Sequence, residues 1–370
     1  MVKKPIIPMT FKVDWFAFTV NESLDKDFKL LKKFGYDLSL FDEVSGKNFF
    51  NAGYSLGGGF VKLFYNSPNL PKQKGSSDLH DYIFTGVGCS DLAEKIGGKW
   101  LDLFKYLKDF GVNFRRIDIA LDDFNNPALI DFPRIERKLQ RKEFRSSKRQ
   151  YNILRDVSTS GELAGESVYL GSRGGSNHSL LRIYQKYLQM VGKHEESQMP
   201  LEALKSGSWI RWELEITKDK ANAMIDLILR NQSISKSYYS ILRDVVEFVN
   251  PIKTKSGQVQ KNKARWPVCR WWLDFLHGVE KAKLQDPEKT FDLGSALDWV
   301  RFSVVPTLQM LAEIYDSKMG VDFYSVLAGL DPMEYSKKQK RLILESGYIS
   351  KKELQIYLDY FVKGPKQNDA

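Results

Sequence analysis

The chain is 370 residues long, 42% hydrophobic and 28% charged, which supplies a sizeable core and argues against a disordered protein. Its formal charge of +10 favours an anionic partner, nucleic acid first, because 23 Phe, 17 Tyr and 8 Trp offer rings that stack on bases beside the cations. Two widely separated cysteines, Cys89 and Cys269, argue against a disulfide framework and a Cys-based zinc site. With no run of transmembrane length and no signal-peptide apolar core, the expectation is a cytoplasmic protein with no membrane partner.

In chain order, residues 12–20 and 60–66 read as strands, the second followed by a Pro-rich loop. Residues 81–86 read as a further strand, and Ser90 as the N-cap of a helix through Ile96. Residues 99–110 carry apolar groups at helical spacing and stop at Gly111. A strand is expected over 114–122, then a helix capped by Asp131 and running towards Phe144. Strands over 166–171, 180–186 and 209–217 and a helix over 219–230 complete this part. The mixture predicts an α+β fold: a catalytic domain over 1–250 with an antiparallel sheet and helices on one face. The polar, basic stretch 251–265 reads as a linker, residues 266–370 as a smaller, mainly helical domain, and the last eight residues as a frayed end.

Three of these strands alternate apolar with charged residues. Ile117, Ile119 and Leu121 oppose Arg116, Asp118, Ala120 and Asp122; Leu181 and Ile183 oppose Arg182, Tyr184 and Lys186; Ile210, Trp212, Leu214 and Ile216 oppose Arg211, Glu213 and Glu215. Side chains of a strand point to opposite faces with period 2, so one sheet with a shared core would gather four carboxylates, several cations and a tyrosine on its other face. That face is either a site or the solvated outer surface of an antiparallel sheet.

No two of His80, His178, His194 and His277 lie within five residues of each other, so a His-hydrophobe-His metal pair and an HExxH pair are both absent. Oxygen ligation by Asp and Glu remains, and it suits Mg²⁺ or Mn²⁺. No GxxxxGK[ST] run marks an NTP-driven motor. The glycine-rich run 171–177, which carries Arg173, reads either as a flexible hairpin or as a backbone cradle for a phosphate. Residues 134–149 hold Arg134, Arg137, Lys138, Arg141, Lys142, Arg145, Lys148 and Arg149 against Glu136 and Glu143. A solvated helix face would explain some of this surplus; contact with DNA phosphates, shared with the 251–265 stretch, would explain all of it. Tyr184, flanked at i−2 and i+2 by Arg182 and Lys186, is expected to sit in a positive field that favours phenolate. Tyr187 is expected to point the other way.

At these residues the sequence resembles the Rep-trans replication initiators of rolling-circle plasmids, with the related relaxases of integrative elements and initiators of some filamentous phages. The resemblance is carried by RRIDIALDDF at 115–124, YLGSRGGSNHSLLRIYQK at 169–186 and WIRWELEI at 209–216, in the family's order and approximate spacing, over roughly residues 10–230. One residue more than the plasmid pattern lies between Asn177 and Arg182. The resemblance implies that Tyr184 is the nucleophile and that Asp118 and Glu213, with Asp122 and Glu215, hold a divalent metal ion. It implies a DNA nickase that forms a 5′-phosphotyrosyl intermediate and a free 3′-hydroxyl primer at an origin, with Arg182, Lys186 and Arg211 neutralising the phosphate. The partners implied are origin DNA, as supercoiled duplex with an exposed single strand, and a host helicase and polymerase. The rival reading is a non-catalytic origin-binding or copy-control protein whose carboxylates only pair with arginines. Within the enzyme class the alternative is a conjugative or mobilisation relaxase.

Overall fold

The structure is a computed structural model that describes residues 6–71, 79–173, 178–281 and 283–284, apart from 22 and 48, and then 296–297, 300–330, 335, 343 and 351–363. The run 174–177, with Asn177, and the frayed end expected over 363–370, apart from Lys363, fall outside the described residues. The chain divides into two compact units, residues 1–189 with 202–290, and residues 190–201 with 291–370. Among the described residues no helix is long and apolar enough to cross a membrane.

The first unit is built on one sheet. Its strands are β1 (Thr10–Val20), β2 (Asp42–Ser45), β3 (Ala52–Leu56), β4 (Val61–Tyr65), β5 (His80–Phe84) and β6 (Asn113–Asp123), followed by β8 (Tyr151–Val157), β9 (Leu163–Leu170), β10 (Ser179–Gln185) and β11 (Ile210–Thr217); the short β7 (Phe144–Arg145) lies outside it. The order is β2-β3-β4-β5-β1-β6-β11-β10-β9-β8, antiparallel throughout, with residues 283–284 added in parallel to β1. The three charged strands are therefore neighbours in the order β6-β11-β10.

Their apolar sides build the core. Ile117, Ile119, Leu121, Leu181, Ile183, Trp212 and Leu214 are completely buried, because each occupies the inward phase of its strand. Helices close over them. In α3 (Trp100–Asp109) the buried Trp100, Leu103, Phe104 and Leu107 follow the i, i+3, i+4, i+7 spacing of one helix face, and Gly111, at φ +85, follows the helix end at a conformation other residues avoid. Asp131 caps α4 (Phe132–Gln140) as expected, accepting from the Arg134 amide at 2.7 Å. The helix expected after Ser90 starts earlier: α2 runs Gly86–Lys95, and Ser90 lies inside it with its hydroxyl on the Gly86 carbonyl.

The division expected at 251–265 lies inside the first unit. Residues 252–265 turn back on themselves, and the helix Arg270–Lys281 that follows inserts Trp272, Phe275 and Leu276 into the same core, where Trp272 packs at 5.9 Å from Trp212. Polarity suggests a linker there, but the stretch is bounded by a buried anchor, Trp266, that periodicity does not mark. In the second unit the described residues are mainly helical: a π-turn (Val300–Val304) leads into Val305–Met319, Asp322 caps Phe323–Ala328, and a helix spans Lys351–Lys363.

Candidate active site

The polar sides of β6, β11 and β10 meet as the alternation requires. Asp118 lies opposite Glu215, Ala120 opposite Glu213, Asp122 opposite Arg211, Arg182 opposite Glu213 and Tyr184 opposite Arg211. This face is no solvated surface: Asp118, Asp122, Arg211, Glu213 and Glu215 are all at most 3% exposed and Tyr184 is 6% exposed. Buried charges of this number must be paired, and they are.

Three groupings result. Arg116 grips Asp118 with two hydrogen bonds, of 2.9 and 2.5 Å, and its Nη2 also reaches Glu215 Oε2 at 3.0 Å. Arg173 and His178 complete Glu215, at 2.8 Å to Oε2 and 2.7 Å to Oε1. At the other end Arg211 makes two hydrogen bonds to Asp122, of 2.7 and 2.8 Å, and one to Asp14 at 2.8 Å, while Trp209 Nε1 donates to Asp122 at 2.7 Å. Between them Glu213 accepts from Arg182 Nη2 at Oε1 (2.6 Å) and from the Tyr184 hydroxyl at Oε2 (3.0 Å). Rings flank the cations: Trp15 lies 4.6 Å from the Arg116 guanidinium and Tyr184 4.8 Å from that of Arg182.

The electrostatics overturn one expectation. Burial, with the Glu213 and Asp14 carboxylates adding to it, holds the Tyr184 phenol well above its ordinary value against the opposing charges of Arg211 and Arg182. The positive field does not produce a phenolate; the hydroxyl keeps its proton and gives a hydrogen bond to Glu213. Lys186 is also not a strand residue, since β10 ends at Gln185 and α5 (Lys186–Gly192) begins there. Burial and the nearby Arg211 lower the Lys186 ammonium to about 8. Tyr187 lies in this helix, where its amide donates to the Trp209 carbonyl.

The four carboxylates expected to share a metal separate. Asp122 has both oxygens on Arg211, whereas Asp118 and Glu215 converge on one nitrogen of Arg116, with Glu213 beside them. Burial, and then the Glu213 and Glu215 charges, push Asp118 up to about 8 despite Arg116. Burial would raise Glu215 as well, but its hydrogen bonds from Arg173 and His178 and the Arg116 charge bring it to about 2. As donors, Asp118, Glu213 and Glu215 offer the carboxylate oxygens that a hard divalent ion prefers, on the adjacent strands β6 and β11. Among the described residues no three His, Cys, Asp or Glu form a ready-made metal group, because the oxygens of these three are engaged by Arg116, Arg173, Arg182, His178 and Tyr184.

The basic run 134–149 also divides. Lys138 is held by Glu143, the Val249 carbonyl and Asn250; Arg145 by Glu247 and the Ala264 carbonyl; Lys148 by Ser179. These three hold the fold together. Arg137, Arg141, Lys142 and Arg149 are exposed, and Arg173 is exposed but paired with Glu215. Asp14, Trp15 and Trp209 join the site without having been expected there. The β-bulge between Val13 and Trp15 that lets Asp14 reach Arg211 has no sequence signature.

A family described as replication initiation factor matches residues 112–326, more than half of the chain. The chain belongs to that family. As a replication initiation factor it is similar to the putative DNA relaxase NicK of Bacillus subtilis (strain 168), with 25% identity over 347 residues that cover 91% of this chain and 90% of the relative. A solved structure of a rolling circle replication initiator protein from Geobacillus stearothermophilus shares the fold with a TM-score of 0.60 at 23% identity, covering 76% of this chain and all of that one. A shorter likeness, 29% over 102 residues, to a probable dipeptidyl-aminopeptidase B of Botryotinia fuckeliana (strain B05.10) spans only 11% of that protein and carries no argument.

Proposed function

We propose that this replication initiation factor is a site-specific DNA endonuclease and strand transferase that starts rolling-circle replication through Tyr184. The observation that carries the reading is the Tyr184–Glu213 hydrogen bond in a buried, arginine-lined site. A phenol held above its ordinary value needs a base when it attacks, and Glu213 Oε2 already accepts its hydrogen bond. Tyr184 Oη forms a bond to phosphorus, its proton passes to Glu213, and the bond from phosphorus to the 3′ oxygen breaks. The departing oxygen takes a proton from solvent. The product is a 5′-phosphotyrosyl enzyme, which keeps the bond energy for rejoining, and a free 3′-hydroxyl that primes a host polymerase behind a host helicase.

Arg182 lies beside both Tyr184 and Glu213, so its charge faces the phosphate as negative charge develops; Lys186 adds a second cation. Arg211 is different, because its Nε, Nη1 and Nη2 are committed to Asp122 and Asp14; it holds the strand ends in place. Mg²⁺ or Mn²⁺ held by Asp118, Glu213 and Glu215 would supply Lewis-acid polarisation of the scissile phosphate. The likeness to a putative relaxase over nine-tenths of both chains favours one further reading, that the same chemistry processes a mobile element for transfer.

Incubation with supercoiled plasmid carrying the cognate origin tests the proposal. Nicked circles with protein on the 5′ end, lost in EDTA and in Tyr184→Phe, are expected. Binding that survives EDTA without any nicking would establish the non-catalytic alternative.

A further inference from the structure

Residues 252–265, IKTKSGQVQKNKAR, hold five cations and no acid. They fold into a two-stranded ribbon. Lys253 bridges Val259 in antiparallel fashion, Thr254 N donates to the Gln258 carbonyl at 2.8 Å and Gln260 N to the Ile252 carbonyl at 2.9 Å. The turn closes at Gly257, whose φ of +82 strains any other residue. The base is fixed. Trp266 Nε1 donates to the Gln260 carbonyl at 2.7 Å, Asn262 caps the turn Lys263–Arg265, and Lys263 Nζ reaches the Lys142 carbonyl at 2.6 Å. Arg145, itself fixed by Glu247, holds the Ala264 carbonyl at 3.2 Å. The ribbon is thereby docked against the segment that carries Arg141 and Lys142. Lys253, Lys255, Lys261, Arg265, Arg141 and Lys142 are exposed, and none pairs with a carboxylate among the described residues.

We propose that this ribbon is a duplex-DNA-binding element separate from the nicking centre, entering the major groove with Lys253, Lys255 and Lys261 on the flanking phosphates. Uncompensated positive charge selects a polyanion. Single-strand binding relies on exposed aromatic platforms, and residues 252–265 contain no ring; Trp266 at the base is buried, and Phe144, the other ring near Lys263, is half-buried. The B-form major groove, about 12 Å wide, admits a two-stranded ribbon, whereas the A-form major groove of duplex RNA is too deep and narrow. The inference names the DNA form met by the proposed nickase and rests on that reading only for the biological occasion. Its test reads binding alone, so failure of the Tyr184 chemistry leaves it standing.

The full chain with Lys253→Ala, Lys255→Ala and Lys261→Ala is titrated against three probes: a 30-bp DNA duplex of random sequence, an RNA duplex of the same length and dT30. Affinity for the DNA duplex should fall roughly tenfold or more, and the slope of log K on log salt should fall by about 0.9 for each phosphate that is no longer neutralised. The other two affinities should stay within about twofold. No loss on duplex DNA, or an equal loss on either other probe, overturns the proposal. Because the three lysines are exposed, the variant should keep the wild-type thermal midpoint; if it does not, Lys255→Glu at the ribbon turn replaces it, with the same single-probe loss expected.

Discussion

The strand face β6-β11-β10 and the 252–265 ribbon are both dense in charge, yet they use it in opposite ways. On the strand face each arginine meets at least one carboxylate, often with two hydrogen bonds, and Asp118, Asp122, Glu213 and Glu215 lie almost wholly out of water. On the ribbon there is no acid to meet, and the cations stand in solvent. Buried and matched charge fixes geometry and tunes proton affinity, whereas exposed and unmatched charge sets long-range attraction to a polyanion. On the proposed reading, the first region reacts with DNA and the second attracts it.

Breaking the first region should cost chemistry or stability with little change in salt-dependent binding. Glu213→Gln retains a hydrogen-bond acceptor for Tyr184 but no basic carboxylate, so single-turnover cleavage should fall by about 10²–10⁴ with duplex affinity within about twofold. Cleavage at the wild-type rate would remove Glu213 from the proton path. Arg211→Ala leaves Asp122 buried with Trp209 alone, and chemical denaturation should show a loss of about 3–5 kcal/mol. A loss under about 1 kcal/mol would mean that water reaches Asp122.

Exposed cations should behave in the opposite sense. Replacing Arg137, Arg141, Lys142 and Arg149 by Ala should leave stability within about 0.5 kcal/mol per site. The same change should lower the salt slope by up to about 0.9 for each DNA phosphate released from its cation, equally for cognate and random duplex. Loss of cognate preference with an unchanged slope would place sequence reading in that segment. The smallest effect expected is a pH dependence. Lys186, lowered to about 8, loses charge as pH rises through that value, so affinity for single-stranded DNA should weaken by roughly fivefold between pH 7 and 9 and stay flat in Lys186→Arg. A flat wild-type profile would show that Lys186 does not face the phosphate.

The strands were legible because one face of each is buried in a common core, which forces period-2 alternation on Ile117 to Leu121 and Ile210 to Ile216. That much also brought Asp118, Tyr184, Glu213 and Glu215 to one face. Which acid meets which cation was not legible, since Arg211 pairs with Asp14 across 197 positions and no local pattern records the choice. The internal pairing of the basic run is hidden for the same reason: Glu247, which takes up Arg145, lies 102 residues on. Segments with weak periodicity escaped the pattern, among them β2 and the edge strand β8, whose residues are largely exposed and so lack an apolar phase; β3 is half-buried, but its buried Gly53 and Ser55 carry no apolar side chain to mark the inward phase. The ribbon read as a linker because its order comes from backbone hydrogen bonds and one Trp266 anchor rather than from a buried face.

Digesting the protein after reaction with origin-bearing supercoiled plasmid, and locating the DNA-linked peptide by mass spectrometry, decides whether Tyr184 is the nucleophile. A 5′-phosphate is expected on Tyr184 and is absent when Tyr184→Phe is used. An adduct on Tyr187 or any other residue, or nicking with no adduct, would contradict it.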